Sequence, residues 1–141
     1  MGLYNFTLML KDIPKLEVHD LVLAIAPTET IDDEIWSVYL INLKDEPIKN
    51  ILAVSKGYGE IDGEVRKTST LRYFFEEIPA LEVQPVESIQ ASLFNMTNEY
   101  MVSYSFEGQL YDKTFTFEPG SIDLRNFQKI PFVEMPGVMQ R

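Results

Sequence analysis

The chain has 141 residues, 45% of them hydrophobic, and a net charge of −10, which suits one domain with a real core. Its pI near 4.5 argues against general affinity for nucleic acid or anionic membranes, because phosphate binding needs a cationic footprint. It has no cysteine. That removes disulfides, thiolate metal sites and cysteine nucleophiles together, and fits a reducing, cytoplasmic setting.

Residues 1–16 read as a loosely held leader, with 3–10 a candidate edge segment. The opening MGLYNFTLMLKDIPK lacks a basic n-region and a small-residue cleavage site, so no signal peptide is expected. Phe6 stands where a myristoylation signal wants Ser or Thr. No run approaches the roughly 18 apolar residues that span a bilayer. Glu17 to Ala26 is a predicted strand ended by Pro27, and Thr28 to Asp33 a polar, acidic loop.

The stretch from Glu34 to Tyr58 organises the rest. It carries the only tryptophan and is rich in β-branched, aromatic and leucine residues, which favours a pleated, buried surface. Strand alternation puts Trp36, Val38 and Leu40 on one face and Ile35, Tyr39, Ile41 and Leu43 on the other. With both faces apolar it reads as a central strand. Lys44-Asp45-Glu46-Pro47 then reads as a tight turn into a second strand from Ile48 to Ser55, making a hairpin. Asp62-Gly63 marks another hairpin turn, with Val65 to Phe75 as the returning strand, and Pro79 and Pro85 bracket a connection.

Val86 to Leu93 suits either a strand or one helical face; a strand to about Ser92 and a loop through Asn98 fit its short length and β neighbours. The next two runs are clearer. Tyr100, Val102, Tyr104 and Phe106 alternate with Met101, Ser103, Ser105 and Glu107, and Tyr111, Phe115 and Phe117 with Asp112, Thr114 and Thr116 across Gly108. They predict an antiparallel hairpin with an aromatic face inward. Ser121 to Leu124 can cap a short helical turn, Ile130 to Val133 suits a last strand, and 135–141 reads as a loose or draped tail. Residues 17–134 thus form a single domain of seven or eight strands. The expected fold is all-β, an antiparallel two-layer β-sandwich with immunoglobulin-like topology preferred on strand spacing.

Chemistry is sparse. His19 is the only histidine and would diverge from Asp20 in a strand; no Gly-x-Ser-x-Gly marks a serine for it. One histidine and no cysteine make zinc unexpected. Asp32-Asp33-Glu34 and Glu60 to Glu64 lack the calcium-loop spacing, Glu76-Glu77 diverge as strand neighbours, and no glycine-rich phosphate loop appears. No catalytic residue, metal or cofactor is assigned.

One segment departs from the acidic background. Lys56, Arg66, Lys67 and Arg72 accompany only Glu60, Asp62 and Glu64, whereas from Tyr73 to Asp112 there is no Lys or Arg. Alternation would align Arg66, Thr68, Thr70 and Arg72, a row suited to a phosphate, a carboxylate or an acidic peptide. The plainer alternative is a solvent-facing strand whose bases balance neighbouring acids. Lys56, Arg66, Lys67, Thr68, Thr70 and Arg72 are the candidate ligand-binding residues.

From about Glu17 onward the chain resembles a family of short uncharacterised bacterial proteins, some of them named phenylalanyl-tRNA synthetase alpha subunit. The matching stretches are Trp36-Ser37-Val38-Tyr39-Leu40-Ile41-Asn42, Val54-Ser55-Lys56-Gly57-Tyr58, Lys67-Thr68-Ser69-Thr70 with Arg72, Asn98-Glu99-Tyr100 and Tyr111-Asp112-Lys113. Ser121-Ile122, Ile130-Pro131 and Gly137-Val138 extend it into the tail. The resemblance implies a shared fold and no activity. A class II synthetase core is far larger, and Arg66, Arg72, Arg125 and Arg141 are the only arginines, with no glycine-rich ATP motif around them. The leading expectation is a non-enzymatic interaction module, binding a protein partner or itself and neither nucleic acid nor membrane. An anion or phospho-ligand binder using residues 56–72 is the alternative, and a hydrolase using His19 or loop carboxylates a weaker one.

Overall fold

The computed structural model describes residues 16–141; the segment expected at 3–10 lies outside the described residues. Nine strands appear among them: β1 (Leu21–Pro27), β2 (Ile35–Asn42), β3 (Ile48–Ile61), β4 (Glu64–Lys67), β5 (Leu71–Ile78), β6 (Glu82–Gln90), β7 (Thr97–Phe106), β8 (Gln109–Phe117) and β9 (Val138–Gln140). All pairings are antiparallel. A four-stranded sheet runs β6-β2-β1-β9, and a five-stranded sheet runs β4-β3-β7-β8 with β5 also on β3. The fold is therefore an all-β sandwich. Pairing β6-β2-β1 in one layer and β5-β3-β7-β8 in the other follows the order of immunoglobulin-type sandwiches.

The stretch from Glu34 to Tyr58 is not a hairpin. β2 and β3 lie in different sheets, and the turn between them is a corner from one layer to the other. Asn42, wholly buried, builds that corner. Its amide donates to the carbonyls of Glu46 (3.0 Å), Ile78 (3.2 Å) and Pro79 (3.1 Å), and its side-chain oxygen accepts from the Lys44 amide (3.0 Å). A buried amide with its donors and acceptor satisfied holds both chain connections in place. The alternation within β2 does hold. Trp36, Val38 and Leu40 join the main core, facing Ile48, Ile51 and Ala53 of β3, while Ile41 enters a second cluster behind the sheet.

That second cluster explains the tail. Val22, Ala24 and Ala26 on the outer side of β1 are buried under Ile130, with Val133, Met135 and Met139 packed against them. Residues 135–141 are thus not a loose tail, since β9 extends the four-stranded sheet alongside β1. Ile130 to Val133 is not a strand, although Ile130 is fully buried. Gly137 is needed where the segment crosses β1, because an added Cβ would collide with the Ile25 carbonyl and with Ala26.

Other boundaries shift for local reasons. β1 begins at Leu21 rather than near Glu17 because Asp20 adopts a left-handed φ of 60°, so His19 is not on a strand. Asp62 (φ 52°) and Gly63 (φ 79°) make the expected turn, but the return is two strands, β4 and β5, separated at 68–70. Pro85 lies inside β6, at a bulge opposite Tyr39 on an edge strand, where no ladder N–H is needed. A 3₁₀ turn over Ala91–Asn95 replaces the expected strand end. The aromatic hairpin forms as β7 and β8, with Tyr100, Val102, Tyr104, Phe115 and Phe117 buried.

Candidate functional site

The basic segment folds back on β3, and pairing decides what it presents. Register sets Lys67 opposite Tyr58 and Val65 opposite Glu60. These side chains, with Lys56, therefore emerge on the outer face of the five-stranded sheet. Lys56, Tyr58, Val65 and Lys67 line a groove of about 610 Å³ together with Gly57, Gly59, Thr68 and Thr70, with Glu60 on the same face outside it. Two lysines and no acid stand in its lining. Val65 is 80% exposed, and the apolar character continues along the same face through Leu52, Met101 and Phe74.

The expected row Arg66, Thr68, Thr70, Arg72 does not exist. Strand pairing stops at Lys67, where the Thr68 amide donates to the Gly57 carbonyl (2.8 Å) and the Gly57 amide donates to Thr68 Oγ1 (2.6 Å). Alternation is interrupted over 68–70. Arg66 sits opposite Gly59, on the other face from Lys67, and its guanidinium is 3.1 Å from Glu64. Arg72 faces outward opposite Val54, beyond the groove. Of the six candidates, Lys56, Lys67, Thr68 and Thr70 come together and the two arginines do not. Lys56 is itself partly neutralised, 3.6 Å from Glu99. Glu99 also accepts from the Tyr58 hydroxyl (3.1 Å), which raises the Tyr58 pKa. Lys67 has no ion pair among the described residues.

A second polar arrangement was not legible in the sequence. Glu87, on β6, reaches across the open edge of the sandwich to three hydroxyls of the opposite sheet. Ser55 Oγ (3.0 Å) and Tyr73 OH (2.7 Å) donate to Oε1, and Tyr100 OH (2.8 Å) donates to Oε2. Glu87, Ser55 and Tyr100 edge a cavity of about 170 Å³ that also meets Thr68, Ser69 and Asn98. Burial, then the Glu87 interaction, pushes the Tyr73 phenol up to about 12, and burial pushes Tyr100 higher still. Both phenols are neutral donors at ordinary pH, not nucleophiles. Glu87 spends three of its acceptor positions joining the layers. Four strands supply this cluster, so no local spacing announces it; the inward alternation of Tyr73 and Tyr100 is the one partial sign.

The remaining candidates are simple. His19 is exposed just before β1, with Nε2 3.4 Å from Glu17. Asp33 closes its own loop by accepting from the amides of Glu29 (2.6 Å) and Thr30 (3.0 Å). Those backbone bonds lower its pKa. Among the described residues no three His, Cys, Asp or Glu side chains gather as a metal-holding group, and no helix is long and apolar enough to cross a membrane. No family model and no curated protein matches the chain.

Proposed function

We propose that this chain is a non-enzymatic interaction module, binding an extended acidic and partly apolar stretch of a protein partner on the outer face of its five-stranded sheet. One observation carries the reading. The four-stranded sheet has its outer face covered by the chain's own C-terminal segment, while the five-stranded sheet leaves Tyr58, Val65, Leu52, Met101 and Phe74 in water beside two lysines. Apolar side chains rimmed by charge mark interaction surfaces. A groove lined by lysines in a chain of net charge −10 favours an acidic segment locally and repels acidic surfaces elsewhere. The cysteine-free composition suits a cytoplasmic setting, and the family resemblance is compatible with a module that carries no activity.

An anion or phospho-ligand reading has less support, because both arginines, Arg66 and Arg72, lie outside the groove. The synthetase name has none beyond the resemblance; phenylalanine-dependent pyrophosphate exchange by the purified chain would overturn its rejection. The groove is tested with a short synthetic peptide alternating glutamate and tyrosine, its binding followed by fluorescence anisotropy. Lys67→Glu and Val65→Asp are each expected to weaken binding about tenfold, and added salt to weaken it further. Absence of binding at high micromolar peptide, or binding indifferent to both substitutions, removes the proposal.

A further inference from the structure

Sheet edges expose unpaired N–H and C=O groups, and proteins usually blunt them. Three edges here are blunted. β6 carries Pro85 and a bulge, β9 has three residues, and on β8 the Gln140 side chain bonds both the amide and the carbonyl of Thr116. β5 is different. It runs for eight residues, pairs with β3 alone among the described residues, and contains no proline, glycine or lysine. Arg72 and Phe74 face outward opposite Val54 and Leu52, and Glu76, the next alternate position, is exposed like them, with Phe74 at 59%. Neither Arg72 nor Glu76 has an ion pair among the described residues.

We propose that β5 is the interface of a symmetric homodimer, in which two copies pair antiparallel about a twofold axis through Phe74. In that register Arg72 stands opposite the partner's Glu76, Glu76 opposite the partner's Arg72, and Phe74 opposite the partner's Phe74. On the inner side Tyr73 meets the partner's Phe75. An isologous contact must be self-complementary, and the sequence Arg-x-Phe-x-Glu read against itself is. A slip by one residue would turn the partner's outer face inward. Registers centred on Tyr73 or Phe75 keep the faces aligned but set Phe74 against a charge. Of these registers the Phe74-centred one alone pairs Arg72 with Glu76 and Phe74 with its own copy. The two five-stranded sheets then continue as one, with both lysine grooves on the same side. This inference stands on the edge and not on the groove.

Sedimentation velocity of the full chain, from low to high micromolar, tests it. The wild type is expected to dimerise with concentration. Arg72→Glu and Glu76→Arg each turn two attractive pairs repulsive, raising the dissociation constant about tenfold or more. The double variant R72E/E76R is expected to dimerise again, and the two single variants to pair when mixed. A wild type monomeric throughout, including one whose residues 1–15 cover β5, overturns the proposal. So does a dimer unmoved by either substitution, or a double variant that stays apart. Both positions are exposed, and an unchanged far-ultraviolet circular-dichroism spectrum checks the fold. Peptide binding by the R72E variant separates failure here from failure of the groove.

Discussion

Glu87 does at the scale of one side chain what the strand ladders cannot, because hydrogen bonds along each sheet do not join the two. Its carboxylate gathers Ser55, Tyr73 and Tyr100 across the open edge. Glu87→Ala leaves those hydroxyls without their acceptor, and the buried Tyr100 cannot turn to water. A loss of roughly 2–4 kcal/mol is expected in urea unfolding. The cluster also sets an alkaline limit. The folded chain holds the Tyr73 proton to about pH 12, and the Tyr100 proton longer, while the unfolded chain releases both near the ordinary phenol value of 10.0. Below pH 10 this stabilisation is whole, and it is lost as pH rises through the folded pKa values. Tyr100→Phe is expected to flatten the fall of the melting temperature between pH 10 and 12; an unchanged slope would detach the phenols from stability. Little of this was legible beforehand, since the partners of Glu87 lie 32, 14 and 13 positions away.

Elements were better foreseen where local chemistry decides them. The β7–β8 pair announced itself through strict alternation, and the β3–β4 turn through Asp62-Gly63. The β2–β3 connection did not, because a polar, proline-bearing turn serves a hairpin and a corner equally well. What decides is Asn42, which reaches carbonyls 36 and 37 positions on. Similarly, β9 is three residues of weak pattern, made into a strand by the apolar outer side of β1. Gly137 is the tight point of that contact. Gly137→Ala is expected to cost about 1–3 kcal/mol, seen as a lower urea midpoint with unchanged slope. An unaltered midpoint would mean that the C-terminal segment does not lie against β1. The break between β4 and β5 misled the reading of the candidate site in the same way, since alternation carried past Lys67 put Arg66 and Arg72 on one face.

At the scale of the whole molecule the two sheets differ in what covers them. One is closed on both sides, by the core and by residues 130–139; among the described residues the other is closed by the core alone. Composition and alternation foretold the class, because abundant β-branched and aromatic residues in short runs between turns point to an all-β sandwich. It did not foretell which face stays bare, which depends on where the C-terminal segment docks. The most direct measurement is an NMR shift map of the labelled chain titrated with the glutamate–tyrosine peptide. Amide shifts confined to Leu52, Lys56, Tyr58, Val65, Lys67 and Met101 are the expected result. Shifts gathered instead around Glu87, Ser69 and Asn98 would put the ligand between the layers and contradict the account.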